Sequence, residues 1–246
     1  MAEERYFYIE PGSISDRHFI LNRTESHHLT QVLRLPVESK IWLLDGVGNA
    51  YRAKINSINR NNIEGEILEE YHSYGESPVQ FHLAFGIIKR DRMGLLLEKG
   101  TELGVRSFQP LVLDRSIKRN VNLSRGEKII TAAAKQCGRS YFPRLNQPCT
   151  LADWLEITSR NNRFFCQSSK TESLSNFFNG FKGDSEICFL IGPEGDFSPR
   201  ELALLERNRL VALSLGPRRL RSETAGLATL AILNELFQNR GGLSHG

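Results

Sequence analysis

VALSLGPRRLRSETAGLATLAIL, residues 211–233, sets an apolar strand, a Gly-Pro turn, an arginine cluster and an apolar helix in immediate succession. The stretch just before it has the same order. EICFLIG (residues 186–192) is a strand, Pro193-Glu194-Gly195-Asp196-Phe197 a loop, and Ser198-Pro199-x-Glu201 a capping box that opens a helix. Working back toward the N-terminus, RFFC reads as a strand and residues 150–158 as a short helix with Thr150 and Asp153 placed for another capping box. A helix opens at Ser124-x-x-Glu127 and closes near Gly138; SFQPLVL is a strand; KRDRMGLLLEKGTEL is a helix stopped by Gly104; VQFHLAFGII is a strand. Strands alternating with helices in this way predict a parallel α/β sheet. The last helix, apolar on nearly every face and running to Gly241, is expected to be buried.

The N-terminal third has a different texture. YFYIE, HFIL, KIWLLD, YRAKINSI and NIEGEILEEY have strand character, separated by turn pairs at Asp45-Gly46, Gly48-Asn49 and Asn61-Asn62. One short helix interrupts them, with Thr24 as its N-cap and Leu29, Val32 and Leu33 on one face. Several short strands and one helix in about 70 residues predict a small β-barrel. HSYGESP (residues 72–78) then serves as a linker, giving domains at 1–72 and 73–246.

The 246 residues are ample for two domains, and 40% apolar with 24% charged residues is a globular composition. A net charge of +4 permits a nucleic-acid partner without demanding one. Cys137, Cys149, Cys166 and Cys188 form no CxxC pair and no Cys/His cluster, so neither a metal site nor a disulfide framework is expected. No apolar run approaches the roughly 18 residues of a membrane span, and a cytoplasmic location without membrane contact is the expectation.

Chemistry is expected at the two Gly-Pro loops, because ligands of open α/β sheets sit beyond the carboxyl ends of the strands. Glycine lets backbone approach a ligand, and proline stiffens the turn. Gly192 and Gly216 would bring main-chain groups to the ligand, with Leu215, Leu220 and Ala225 as apolar walls. Neither loop is a dinucleotide fingerprint or a phosphate loop. Ser222 is a candidate N-cap for the last helix, and Glu223 in its first turn reads either as a response to the helix dipole or as a functional carboxylate. His27 and His28, adjacent on one helix, cannot share a face as ligands.

Together, LIGPEG (190–195) and LGPRRLRSETA (215–225) resemble the second and third motifs of SPOUT-superfamily methyltransferases, in particular the bacterial 16S ribosomal RNA uridine N3-methyltransferase family. RYFYI (5–9) and HHLTQVLRL (27–35) are similar to that family's N-terminal PUA-like domain, and KGTELGV (99–105) and AAKQCGRSYFP (133–143) to its catalytic domain. The chain departs from the pattern at Asp196, where the family has glycine, and at Lys135, where it has an acid. Asp tolerates left-handed backbone, and Lys135 would alter an RNA contact or a local ion pair.

The resemblance implies a trefoil-knotted α/β domain, a feature that ordinary topology rules argue against, beside a PUA-like β-barrel. It implies a homodimer that binds S-adenosylmethionine and acts on 16S rRNA within the small ribosomal subunit. Cofactor contacts are implied for Gln167, Leu190, Gly192, Gly195, Leu215, Gly216, Leu220, Arg221, Thr224 and Ala225, and RNA contacts for Arg5, Arg34, Lys89, Arg92 and Arg139. For the chemistry, Arg221 is the expected stabiliser of the uridine imide anion, with an RNA-phosphate contact as its other reading, and Glu223 is the candidate base. The alternatives are a methyltransferase for another RNA position and a non-catalytic assembly factor.

Overall fold

The computed structural model describes residues 5–59, 62–116, 119–158, 162–167, 172–179 and 186–237. Asn61 of one expected turn and Gly241, the expected end of the last helix, lie outside them. The chain falls into two compact units, Met1–Glu76 with Thr131–Phe142 and Ser77–Ile130 with Pro143–Gly246.

The first unit contains β1 (Tyr6–Tyr8), β2 (Ile14–Ser15), β3 (His18–Leu21), α1 (Arg23–His27), β4 (Lys40–Leu44), β5 (Asn49–Ile58) and β6 (Ile63–His72). The strand path is β1-β4-β5-β6-β3-β2, with β1 and β4 parallel and all other neighbours antiparallel. Phe7 and Ile9 at one end of the path share a core with Phe19 and Leu21 at the other, so the sheet curls around its apolar face. This curled sheet is what the expected small barrel amounts to; pairing ends at β1 and β2. Gly65 sits where β6 crosses Phe19, and a Cβ there would lie 2.0 Å from the Lys54 carbonyl oxygen.

The short helix is capped by Asn22, whose side-chain oxygen accepts the Glu25 N–H at 3.0 Å, and not by Thr24 as expected. Asn22 lies at the third-residue spacing a cap requires, whereas Thr24 already has a place inside the first turn. A π-turn over His28–Val32 then widens the helix: Leu29 and Leu33 pack against the same core as expected, but Val32 turns outward and is 62% exposed.

Residues 131–142, similar to the catalytic domain in sequence, belong to this first unit. Lys135 Nζ lies 2.6 and 2.8 Å from the Glu25 carboxylate oxygens, the ion pair that was one of its two expected roles. Arg139 is 2% exposed and donates to both oxygens of Glu76, at 2.6 and 3.1 Å.

The second unit contains β7 (Gln80–Gly86), α2 (Arg90–Glu102), β8 (Val105–Val112), α3 (Leu123–Cys137, with Thr131 onward in the first unit), β9 (Arg144–Leu145), β10 (Cys149–Thr150), α4 (Leu151–Ile157), β11 (Arg163–Cys166), α5 (Leu174–Phe178), β12 (Glu186–Ile191), α6 (Pro199–Arg207), β13 (Val211–Leu213) and α7 (Ser222–Phe237). Its sheet is parallel throughout, ordered β10-β8-β7-β12-β11-β13 with β9 beside β8. Separate apolar cores cover its two faces, which is why EICFLI is buried at five consecutive positions. The capping boxes at Thr150 and Ser198 form as expected. Asn122 rather than Ser124 caps α3, accepting the Arg125 N–H at 3.0 Å.

The last helix is less buried than its composition suggests. Gly226, Leu230, Leu233 and Phe237 form its inner face, while Leu227, Ala228 and Ile232 are half-buried and Ala231 is exposed.

Candidate active site

The strand order reverses its direction of growth between β7 and β12, and a crevice at the carboxyl ends of strands is expected at such a point. Beside that point, beyond the carboxyl ends of β11, β12 and β13, lies a cavity of about 270 Å³, close to the lower end of small-molecule pockets at roughly 300 Å³. β11 ends at Cys166 with Gln167 following, β12 leads into the Gly192-Pro193 loop, and β13 leads into the Gly216-Pro217 loop. The two loops are tied together: Ser222 Oγ donates to the Gly192 carbonyl at 2.7 Å, and Arg219 Nη2 to the Glu194 carbonyl at 3.0 Å. Ser222 is therefore a brace between loops and not the N-cap expected of it, because the nearby carbonyl captures its hydroxyl.

The first loop is also held from outside. Arg115 Nη1 donates to the Gly195 carbonyl at 2.9 Å, and Ser198 Oγ to Asp114 at 2.6 Å. Asp196 takes the place of the expected glycine at φ 62, and its side chain accepts the Phe197 N–H at 2.9 Å, offsetting the left-handed backbone. In the second loop Gly216 has φ 111, and no atom lies within 4 Å of a built Cβ. That glycine answers to backbone conformation and open space, not to crowding.

Of the expected cofactor contacts, Gln167, Gly192, Leu215, Gly216, Leu220, Arg221 and Ala225 line the cavity. Leu190, Gly195 and Thr224 do not. Leu190 precedes a lining residue on a strand, so its side chain points to the opposite face and joins the core there. The Gly195 carbonyl is turned to Arg115, and Thr224 is on the exposed side of α7.

Arg92, expected as an RNA contact, lies in the cavity wall. Its Nη1 is 3.1 Å from Glu194 Oε1, and its Nε is 3.7 Å from Glu223 Oε1. Glu223 is 5% exposed, and its Oε2, like that of Glu194, is buried with no hydrogen-bond partner among the described residues. Two carboxylates thus share one guanidinium, each with an acceptor left over. Burying such groups for structure alone is costly, since an unpaired buried polar atom loses its hydration without return. Cys166 completes the floor; burial pushes its thiol up to about 12, partly offset by the Thr229 hydroxyl at 3.4 Å, so it stays protonated and inert.

The remaining expected RNA residues are dispersed. Arg5 and Arg34 are on the first unit, Arg34 exposed. Lys89 is exposed just before α2. Arg139 is a correction: buried and doubly paired to Glu76, its guanidinium braces the first unit and is not presented to RNA.

Residues 75–234 match the RNA methyltransferase domain family, and residues 21–68 match the RNA methyltransferase PUA domain family. The ribosomal RNA small subunit methyltransferase E of Rickettsia conorii is 31% identical over 210 residues, covering 83% of this chain and 84% of that protein. The chain belongs to this methyltransferase family. A crystal structure of the family's member from Neisseria gonorrhoeae, bound to S-adenosyl methionine, superimposes with a TM-score of 0.86 at 30% identity, covering 96% of this chain and 98% of that one. A Legionella pneumophila methyltransferase in complex with the cofactor matches with a TM-score of 0.83 at 26% identity, over 95% and 98% of the two chains. The family's α/β fold and its PUA-like N-terminal domain are thereby those of this chain.

The cavity suits the cofactor that those two structures contain. Ile191, Leu215, Leu220 and Ala225 form an apolar part of its wall, and Gly192 and Gly216 place loop backbone along it. Arg92 is paired with Glu194 and Glu223, while Arg218, Arg219 and Arg221 line the cavity beside Asp196. Among the described residues no group of His, Cys, Asp and Glu could hold a metal, and no helix is long and apolar enough to cross a membrane.

Proposed function

We propose that this protein methylates N3 of a uridine in 16S rRNA, using S-adenosylmethionine. The observation that carries the reading is the buried carboxylate Glu223, which lies behind the lining of the two-loop cavity against Arg92, with Oε2 lacking a hydrogen-bond partner among the described residues. S-adenosylmethionine, when bound, supplies an electrophilic methyl on a sulfonium that leaves as a neutral thioether. The chain's residues do the rest. N3 lies on the Watson–Crick edge, so the base must be unpaired or flipped into the site. Glu223 accepts the imide proton as N3 bonds to carbon, and Arg92 holds the carboxylate in place. The negative charge that develops on the imide spreads to its carbonyl oxygens, where Arg221 stabilises it. Lys89, Arg5 and Arg34 hold the RNA backbone.

The finer features belong to the same reading. The cofactor sits in a trefoil knot made by the segments around β12, β13 and α7. The chain divides functionally at 1–72 and 73–246, works in the cytoplasm on the small ribosomal subunit, and forms a homodimer. The half-buried Leu227, Ala228 and Ile232 on α7 support the dimer, since they leave an apolar strip for a two-fold partner. Light scattering at micromolar concentration should give twice the chain mass, and a monomer would refute it.

The test of the activity is methyl transfer to small subunits from cells lacking the enzyme, with the modified nucleoside identified afterwards. N3-methyluridine at one position is the expected product; methylation elsewhere would sink the reading, and no cofactor binding in calorimetry would leave only a binding module. Gly216→Val should weaken cofactor binding by tenfold or more, because a β-branched residue resists φ 111 and its side chain would enter the cleft. An unchanged affinity in a folded variant would remove Gly216 from the site.

A further inference from the structure

A second cavity, of about 240 Å³, opens between the first turns of α2 and α3, both within the second unit. Its floor is apolar: Ile88 and Leu97 are fully buried and Met93 nearly so. Its rim is basic and polar, with Arg90, Arg125 and Asn120 all exposed. Among the described residues no acidic side chain lines it. Among the described residues no hydrogen bond or ion pair engages either guanidinium or the Asn120 amide. An apolar slot under unpaired cations matches the two halves of a nucleotide, a base that stacks on carbon and a phosphate that pairs with arginine.

The position supports the match. Arg90 and Arg92 are two residues apart on α2, so they point to nearly opposite sides of the helix. Arg92 faces the cofactor cavity and Arg90 faces this one. A strand that presents one base to the first cavity therefore has a second recess across a single helical turn. Recognition of single-stranded RNA commonly works in this way, by taking several splayed bases at once.

We propose that this cavity is a nucleotide subsite for the RNA substrate, taking an unpaired base that neighbours the methylated uridine, with Arg90 and Arg125 on its flanking phosphates. The proposal rests on the function given above. Gly94 makes it testable, because it lines the cavity and a Cβ there would meet only Ile129 Cδ1, at 3.7 Å. Methionine at this position fits the helix and fills the slot without touching a charge.

The experiment measures equilibrium binding of unmodified small subunits by filter retention at several salt concentrations, with methyl transfer followed in parallel. Gly94→Met should weaken subunit binding about tenfold, as expected for one lost stacked base, while cofactor affinity in calorimetry stays unchanged and shows that the fold is intact. Arg90→Ala with Arg125→Ala should weaken binding and flatten its salt dependence by about two units, one per phosphate contact. If Gly94→Met and the double variant bind subunits as the unaltered protein does, the subsite is refuted. If Gly94→Met instead turns a dimer into a monomer in light scattering, a second copy fills the cavity and the proposal also falls. A protein that binds subunits through this cavity yet transfers no methyl group would overturn the proposed activity and leave the subsite standing.

Discussion

Arg221→Ala should lower the single-turnover rate of methyl transfer by about 100- to 1000-fold with RNA and cofactor both saturating, the usual loss of about 3–4 kcal/mol when one donor to a developing anion is removed. Arg221 lines the cofactor cavity, is itself exposed, and has no ion-pair partner among the described residues, so its guanidinium is available to substrate. The neighbouring arginine is in a different position: Arg219 is anchored to the Glu194 carbonyl. A role on phosphate would look unlike a role on the imide. Loss of a phosphate contact weakens RNA binding and flattens the salt slope by about one unit, with the saturated rate preserved. Arg221→Lys separates charge from geometry, because lysine keeps the charge without the planar fork. Partial recovery with lysine would point to simple electrostatics, and a normal saturated rate in the alanine variant would move Arg221 from chemistry to docking.

The parts of this site that could be read from sequence are those made by neighbours in the chain. Strand, Gly-Pro loop and helix follow one another at both loops, so the walls at Gly192, Leu215, Gly216, Leu220 and Ala225 were legible, as was the tolerance of Asp196 for left-handed backbone. What escaped depends on residues far apart. Arg92 and Glu194 are separated by 102 positions, and no local pattern says that the arginine faces a cleft rather than RNA. Arg139 meets Glu76 across 63 positions, which turns an expected surface contact into a buried brace. The missed caps have a related origin. Asn22 and Thr24, like Asn122 and Ser124, both suit a helix start by residue type, and the turn that forms selects between them. Ser222 lost its expected capping role to a carbonyl 30 positions away. The widened turn at His28–Val32 shifted the helix face, and sequence periodicity assumes a regular helix.

The larger loss is expected from Glu223→Gln, about 100- to 10,000-fold in the saturated rate, the range for removing a positioned general base. Glutamine keeps the shape of the side chain and can still donate or accept hydrogen bonds, so packing at the mouth of α7 should survive. Arg92 would not be stranded either, because it keeps Glu194 Oε1 at 3.1 Å. Glu223 has a competing structural role as an acid in the first turn of a helix, worth about 0.3–1 kcal/mol at most exposed sites. That role predicts a slightly lower melting temperature and a normal rate. The vacant Oε2 argues for more, since a residue present only for the helix dipole has no reason to bury an unpaired acceptor. A substrate readout decides between them. Small subunits carrying 5-fluorouridine present an imide that releases its proton more readily, so they depend less on a base. If Glu223 takes the proton, the deficit of Glu223→Gln should shrink on the fluorinated substrate, whereas an equal deficit on both would assign Glu223 to positioning alone. Arg92→Met should reproduce part of the loss, and combined with Glu223→Gln should add little, because Arg92 acts through the carboxylate it holds.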